Sequence, residues 1–146
     1  MNKLLSTIEL ESYIKEKYLK KLNDYLNEDL ELEGVYFKIG HDNSPEGIYV
    51  YTNKDGYHYL YTEKGKIRKH EITNKIFEIA YWVIDDRIFS VALSYATNNR
   101  EAGKDFRRKL FEKEKEIWSV LDVKGYNEKC LDIEKILEEN PFMDEV

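Results

Sequence analysis

Ile48-Tyr49-Val50-Tyr51-Thr52-Asn53-Lys54-Asp55-Gly56-Tyr57-His58-Tyr59-Leu60-Tyr61-Thr62 is the stretch on which the fold turns. Two runs of β-branched and aromatic residues flank Asn53-Lys54-Asp55-Gly56, whose glycine supplies the positive φ that a tight hairpin needs. The period of two extends outward from this hairpin. Val35 to Ile39 precedes it across the loop Asn43-Ser44-Pro45-Glu46-Gly47, and Lys66 to Ile72 follows Glu63-Lys64-Gly65. Short connections of this kind predict a four-stranded antiparallel meander over Val35–Ile39, Ile48–Thr52, Tyr57–Thr62 and Lys66–Ile72. Tyr49, Tyr51, Tyr57, Tyr59 and Tyr61 alternate with Val50, His58 and Leu60, so one hairpin face is expected to be rich in tyrosine. Cross-strand aromatic packing and a recognition face both fit that pattern.

The period becomes helical on either side of the sheet. Ser6-Thr7-Ile8-Glu9 has the form of a capping box, and Leu10, Ile14, Tyr18, Leu22 and Leu26 then recur on one face to about Asn27. After Thr73 the run from Ile76 to Leu93 leaves almost no polar face, which predicts a central buried helix ending near Asn98-Asn99. A second helix is expected from Glu101 to Leu121, broken by Gly125. A third runs from about Asn127 to Glu139, burying Cys130, Ile133 and Leu137, with Pro141 unable to continue it. The fold class is therefore α+β: an N-terminal helix, a four-stranded antiparallel meander sheet, and three C-terminal helices packed on that sheet.

Composition bounds the function. The 146 residues, 42% of them hydrophobic, suit one core, so residues 1–146 are expected to form a single domain. A net charge of -6 disfavours a nucleic-acid binder and favours a basic protein partner. One cysteine, Cys130, excludes a disulfide framework and points to a reducing cytoplasm. No stretch has the length and apolarity of a membrane span, and the first residues lack a signal-peptide core. A cytoplasmic protein without membrane contact is expected.

No phosphate-binding loop, HExxH, paired CxxC or nucleophile elbow occurs in the sequence, so neither an enzyme nor a bound cofactor or metal is expected. His41, His58 and His70 fall in a loop and on separate strands. Asp85 and Asp86 are neighbours, about 100° apart on a helix, and cannot share one site by spacing alone. A charge in a buried helix is costly unless paired, so Asp86 is expected to meet Arg87, Arg100, Arg107 or Arg108. In Asp105-Phe106-Arg107-Arg108-Lys109-Leu110-Phe111, helical spacing puts Asp105 within reach of Arg108 and Lys109, and Arg107 beside Phe111 and Trp118. The cluster reads as an internal brace, with an anion clamp of Arg107 and Arg108 as the alternative. The acidic ending Glu138-Glu139 with Asp144-Glu145 reads as a solvated terminus.

Gly56-Tyr57-His58-Tyr59, Tyr81-Trp82, Asp86, Phe89-Ser90, Tyr95, Arg100, Asp105-Phe106-Arg107-Arg108 with Phe111, and Asn140-Pro141-Phe142 before Asp144 together resemble the immunity protein 63 family. The resemblance covers about Val35 to Glu145 and is densest from Tyr81 to Phe111. It implies a bacterial protein encoded beside a polymorphic toxin, which neutralises that cognate toxin by direct stoichiometric binding. On this reading Tyr81, Trp82, Asp86, Arg100, Asp105, Arg107, Arg108 and Phe111 are structural family positions. Asp55, Tyr57, His58 and Tyr59 at the hairpin tip are the expected partner-binding residues. Two other classes stand beside it: a small anion-binding or enzymatic domain using Arg107, Arg108 and Tyr57, and an adaptor for a partner that is not a toxin.

Overall fold

The computed structural model describes residues 3–145. They form two compact units, divided between Ile84 and Asp85.

The first unit opens with the N-terminal helix. Ser6 Oγ accepts from the Glu9 amide while the Glu9 carboxylate accepts from the Ser6 amide, the reciprocal cap that the sequence predicts. The helix is built from α1 (Thr7–Ile14), a π-helical turn (Lys15–Leu19) and α2 (Lys20–Leu26). It stops where Asn27 takes up a left-handed conformation with φ 56°. Leu10, Ile14, Tyr18 and Leu22 are buried along one stripe, and the wide turn brings Leu19 inward as well. Two hydrogen bonds seat this helix on the sheet: Thr52 N–H donates to Thr7 Oγ1, and Leu5 N–H donates to the Tyr57 hydroxyl.

The sheet has β1 (Val35–Tyr36), β2 (Gly47–Asn53), β3 (Gly56–Glu63) and β4 (Lys66–Thr73), in that spatial order. β2, β3 and β4 are antiparallel neighbours, joined by turns with Gly56 at φ 137° and Gly65 at φ 76°. The first strand corrects the meander. It is two residues long and runs parallel to β2, pairing Val35 with Ile48 and Tyr36 with Tyr49. The chain leaves β1 at Phe37 and travels back before β2 begins, so a tight antiparallel turn never forms. Gly40 lies so close against the Tyr49 ring on this path that a side chain there would collide with it.

The register also divides the tyrosines. Pairing of Tyr49 with Leu60 and Tyr51 with His58 puts Tyr49, Tyr51, His58 and Leu60 on one face. Tyr57, Tyr59 and Tyr61 occupy the opposite face, across from Thr52, Val50 and Ile48. The face of Tyr57, Tyr59 and Tyr61 is thus the tyrosine-rich one, but it does not hold all five, because residues directly opposite across an antiparallel pair must share a side.

Helix α3 (Ile76–Asn98) begins in the first unit, where Trp82 meets Tyr59 edge to face with ring centroids 6.0 Å apart. Ile79, Ala80, Val83 and Ile84 are fully buried. The second unit contains the rest of α3 with α4 (Arg107–Leu121) and α5 (Val123–Glu139). Ala92, Ala96, Leu110, Phe111 and Ile133 make a core here, with Phe106, Leu137 and Phe142 packed against it. Two helix bounds differ from expectation. α4 starts at Arg107 instead of Glu101, because Gly103 turns the chain at φ 78° and the Asp105 carboxylate accepts from the Arg107 amide. The break after it is at Asp122, extended and capping Lys124, while Gly125 sits inside α5. Gly125 is needed for space: any side chain there would strike the Trp118 ring. Cys130, expected in the core, is half-buried.

Candidate functional site

The hairpin tip is the first place to look for a binding surface. Asp55 is exposed there, beside a turn in which its amide donates to Asn53 Oδ1 at 2.9 Å. Tyr57, His58 and Tyr59 are buried. They sit behind the tip and support it. His58 stacks on Tyr51 with centroids 4.5 Å apart, and its two nitrogens contact Asn53 Oδ1 and His70 Nε2, each at 2.8 Å. Since Asn53 Oδ1 already accepts from an amide, His58 Nε2 must carry the proton in that contact. His58 Nδ1 is then left to accept from His70 Nε2–H. Burial, with the neighbouring His70, pushes the His58 pKa below its ordinary 6.5, against a smaller opposing effect of Asp55.

The Asp105 to Phe111 segment, in the second unit, forms a latch for the chain end. Arg107 holds Asp105 through two nitrogens, at 3.3 and 2.9 Å, and donates to the carbonyls of Asn140 and Pro141, both at 2.8 Å. Arg108 grips Asp144 with Nε 3.0 Å from one oxygen, and its guanidinium lies 4.2 Å above the Phe142 ring. Backbone completes the latch: Met143 N–H donates to Asp105, Asp105 N–H to Asp144, and Glu145 N–H to the Gly103 carbonyl. The Arg107 fork and the two amides hold the Asp105 carboxyl well below the usual carboxylate range.

This geometry changes the expected pairing. Asp105 takes Arg107, while Arg108 takes Asp144 and Lys109 takes Glu101 at 3.0 Å. Asp105 precedes the helix and folds back on its first amides, so helical i, i+3 and i+4 spacing does not apply to it. Arg107 does lie by Phe111, but Trp118 turns elsewhere. Of the acidic ending, Glu138, Glu139 and Glu145 are exposed as expected, while Asp144 is held by a cation and an amide. Arg100 stacks over Phe106 at 5.1 Å.

Beside the latch is a cleft of about 410 Å³ lined by both signs of charge. Arg100, Lys104, Arg108 and Lys109 on its wall are balanced by Glu101, Asp105, Glu112 and Asp144. An anion entering it would meet as many carboxylates as cations. Among the described residues no group of three or more histidine, cysteine or carboxylate side chains could hold a metal ion.

A third constellation was not anticipated from the sequence. Lys129, buried, donates to Asp85 at 3.0 Å and to Glu114 at 3.3 Å, and Trp118 Nε1–H donates to the other Asp85 oxygen at 2.9 Å. Burial opposes the Lys129 charge, yet the two carboxylates outweigh it and the pKa is raised; burial pushes the Glu114 carboxyl up. The aspartate of this triad is Asp85, half-buried, and not its neighbour Asp86, which is exposed. A signal for this was present. Lys129 stands in the stripe Gly125, Lys129, Ile133, Leu137, and Glu114 stands between Leu110 and Trp118, both at spacings of four where apolar residues belong. Of the other family positions, Tyr81 is buried beside Phe77, and Trp82 lies against Tyr59.

A family model described as Immunity protein 63 matches residues 53–130, more than half of the chain. The match takes in the hairpin tip, α3, the latch arginines and the buried triad, while Asn140 to Phe142 and Asp144 lie beyond it. No curated protein and no solved structure matches the chain.

Proposed function

Because the chain belongs to the immunity protein 63 family, we propose that it neutralises a cognate polymorphic toxin by direct stoichiometric binding in the bacterial cytoplasm, without catalysis. The match over residues 53–130 is the observation that carries this reading. On it, the whole chain works as one immunity domain. The net charge of -6 supports a basic toxin, since opposite fields raise the rate of encounter and suppress wrong partners. No helix among the described residues is long and apolar enough to cross a membrane. The tip around Asp55 is the proposed contact, with Tyr57, His58 and Tyr59 fixing its shape from behind. The arginines of the latch serve stability, since their carboxylates and carbonyls lie within the same unit.

The test is co-expression with the toxin encoded by the adjacent gene. Rescued growth and a one-to-one complex on size-exclusion chromatography are the expected results. Failure of rescue at equal expression would sink the proposal, and Asp55→Lys with undiminished rescue would move the contact away from the tip.

A second reading has the cleft in its favour, as a site for a small anion held by Arg100 and Arg108. The four carboxylates on the same wall count against it. Calorimetric titration with inorganic phosphate should show no heat of binding; a saturable response abolished by Arg100→Ala would establish it.

A further inference from the structure

We infer that β4 is a pairing edge for a second copy of this chain, in an antiparallel β4–β4 contact centred on His70. The sheet order ends on β4, and its residues are exposed from Lys66 to Ile72. The Ile67 amide is taken by Asp42 Oδ1 at 2.9 Å, so the edge open to another strand runs from Arg68 to Ile72, and its side chains decide which strand is accepted.

The faces follow from the register. Tyr61 pairs with Lys69 and Thr62 with Ile67, so Arg68 is the extra residue of a bulge. That bulge returns Ile67 to the face of His70 and Ile72, while Lys69 and Glu71 occupy the other face. Both isoleucines are exposed, at 37% and 50%.

A two-fold axis perpendicular to the sheet keeps each face continuous across the contact. With the axis at His70, Lys69 of each copy stands opposite Glu71 of the other, giving two complementary pairs. Ile72 of each copy then meets the bulge of the other, where Ile67 and Arg68 stand. Moving the axis to Lys69 puts two lysines face to face, and moving it to Glu71 does the same for two glutamates. Of these three registers charge selects the one centred on His70, which is self-complementary. An acidic strand from another protein would meet Lys66, Arg68 and Lys69 favourably but would also oppose Glu71.

Sedimentation equilibrium of the full chain, followed to several hundred micromolar, tests this inference. A reversible dimer is expected. Lys69→Glu and Glu71→Lys should each weaken it by about tenfold, because each makes two like-charge pairs, and the double swap should restore it to within about twofold. Ile72→Thr should weaken it without a change of charge. Circular dichroism on each variant separates lost association from lost folding. Hydrogen exchange of the unaltered protein needs no variant, and protection over residues 66–73 should rise with concentration. A chain monomeric throughout, or a dimer indifferent to both swaps, or β4 amides insensitive to concentration, would overturn the assignment and leave the edge to a different protein's strand.

Discussion

The buried triad and the latch are built from the same chemistry, with the cation far more deeply buried in the triad than in the latch. In the triad, Lys129 and Glu114 have side chains 8% and 5% exposed, and one lysine serves two carboxylates. In the latch, Arg108 is 45% exposed against Asp144, and each arginine has its own carboxylate. Removing one member of the first leaves a charge in a medium that cannot solvate it. Removing one member of the second lets water take its place. Burial, and not the count of ion pairs, therefore sets how much each contributes.

The largest expected effect breaks the triad. Lys129→Met leaves Asp85 and Glu114 facing each other without their cation and should cost about 3–5 kcal/mol in a denaturant titration. A loss no larger than that of the latch variants would show that water reaches the site. Next is Gly125→Ala, which forces a methyl group against Trp118, the ring that orients Asp85; about 1–3 kcal/mol is expected by the same measurement. Trp118→Phe keeps most of the packing and removes only the bond to Asp85, for about 1–2 kcal/mol. Arg108→Ala should have the smallest effect on global unfolding. Its signature is local: faster hydrogen exchange at Met143 and Glu145 and earlier trimming of the end by carboxypeptidase, with binding of the toxin unchanged. A stable Arg108→Ala variant that no longer binds would make the latch part of the interface.

Proton linkage sharpens the same contrast. Asp105 and Asp144 are held below their ordinary 3.8 by Arg107 and Arg108, so their contribution is complete above that value and is lost as pH falls below it. Lys129 is raised above its ordinary 10.5, so its contribution is complete below that value and is lost as pH rises past it. Glu114 is also raised, and its protonation favours the folded chain as pH falls. His58 is lowered, so the folded state loses stability as pH falls below 6.5, where the unfolded chain binds the proton more readily. Thermal unfolding across pH should show the loss below 6.5 shrink in His58→Gln and the alkaline loss above 10.5 shrink in Lys129→Met, the remainder of the latter coming from Lys109, which Glu101 also raises.

Features whose partners lie close in the chain were legible from the sequence. The cap joins Ser6 and Glu9, three residues apart, and the hairpin glycines answer to their own φ values. The family positions from Tyr81 to Phe111 were likewise visible as residue types at fixed intervals. The site was less legible. A tyrosine run reads the same whether it faces solvent or core, and the burial of Tyr57 and Tyr59 was not written in their spacing. Asp85 and Asp86 are chemically identical neighbours, distinguished only by how α3 is rotated against α4 and α5.

What the sequence determined by itself was the alternation of helix and sheet, the N-terminal cap, the tight turns and the family, since each rests on contacts or patterns within a few residues. Only the tertiary structure decided that β1 runs parallel, that the tyrosines divide between two faces, and that Lys129 reaches Asp85 across 44 residues. The reason is physical: periodicity fixes which residues share a side of one element, and packing alone chooses what that side meets.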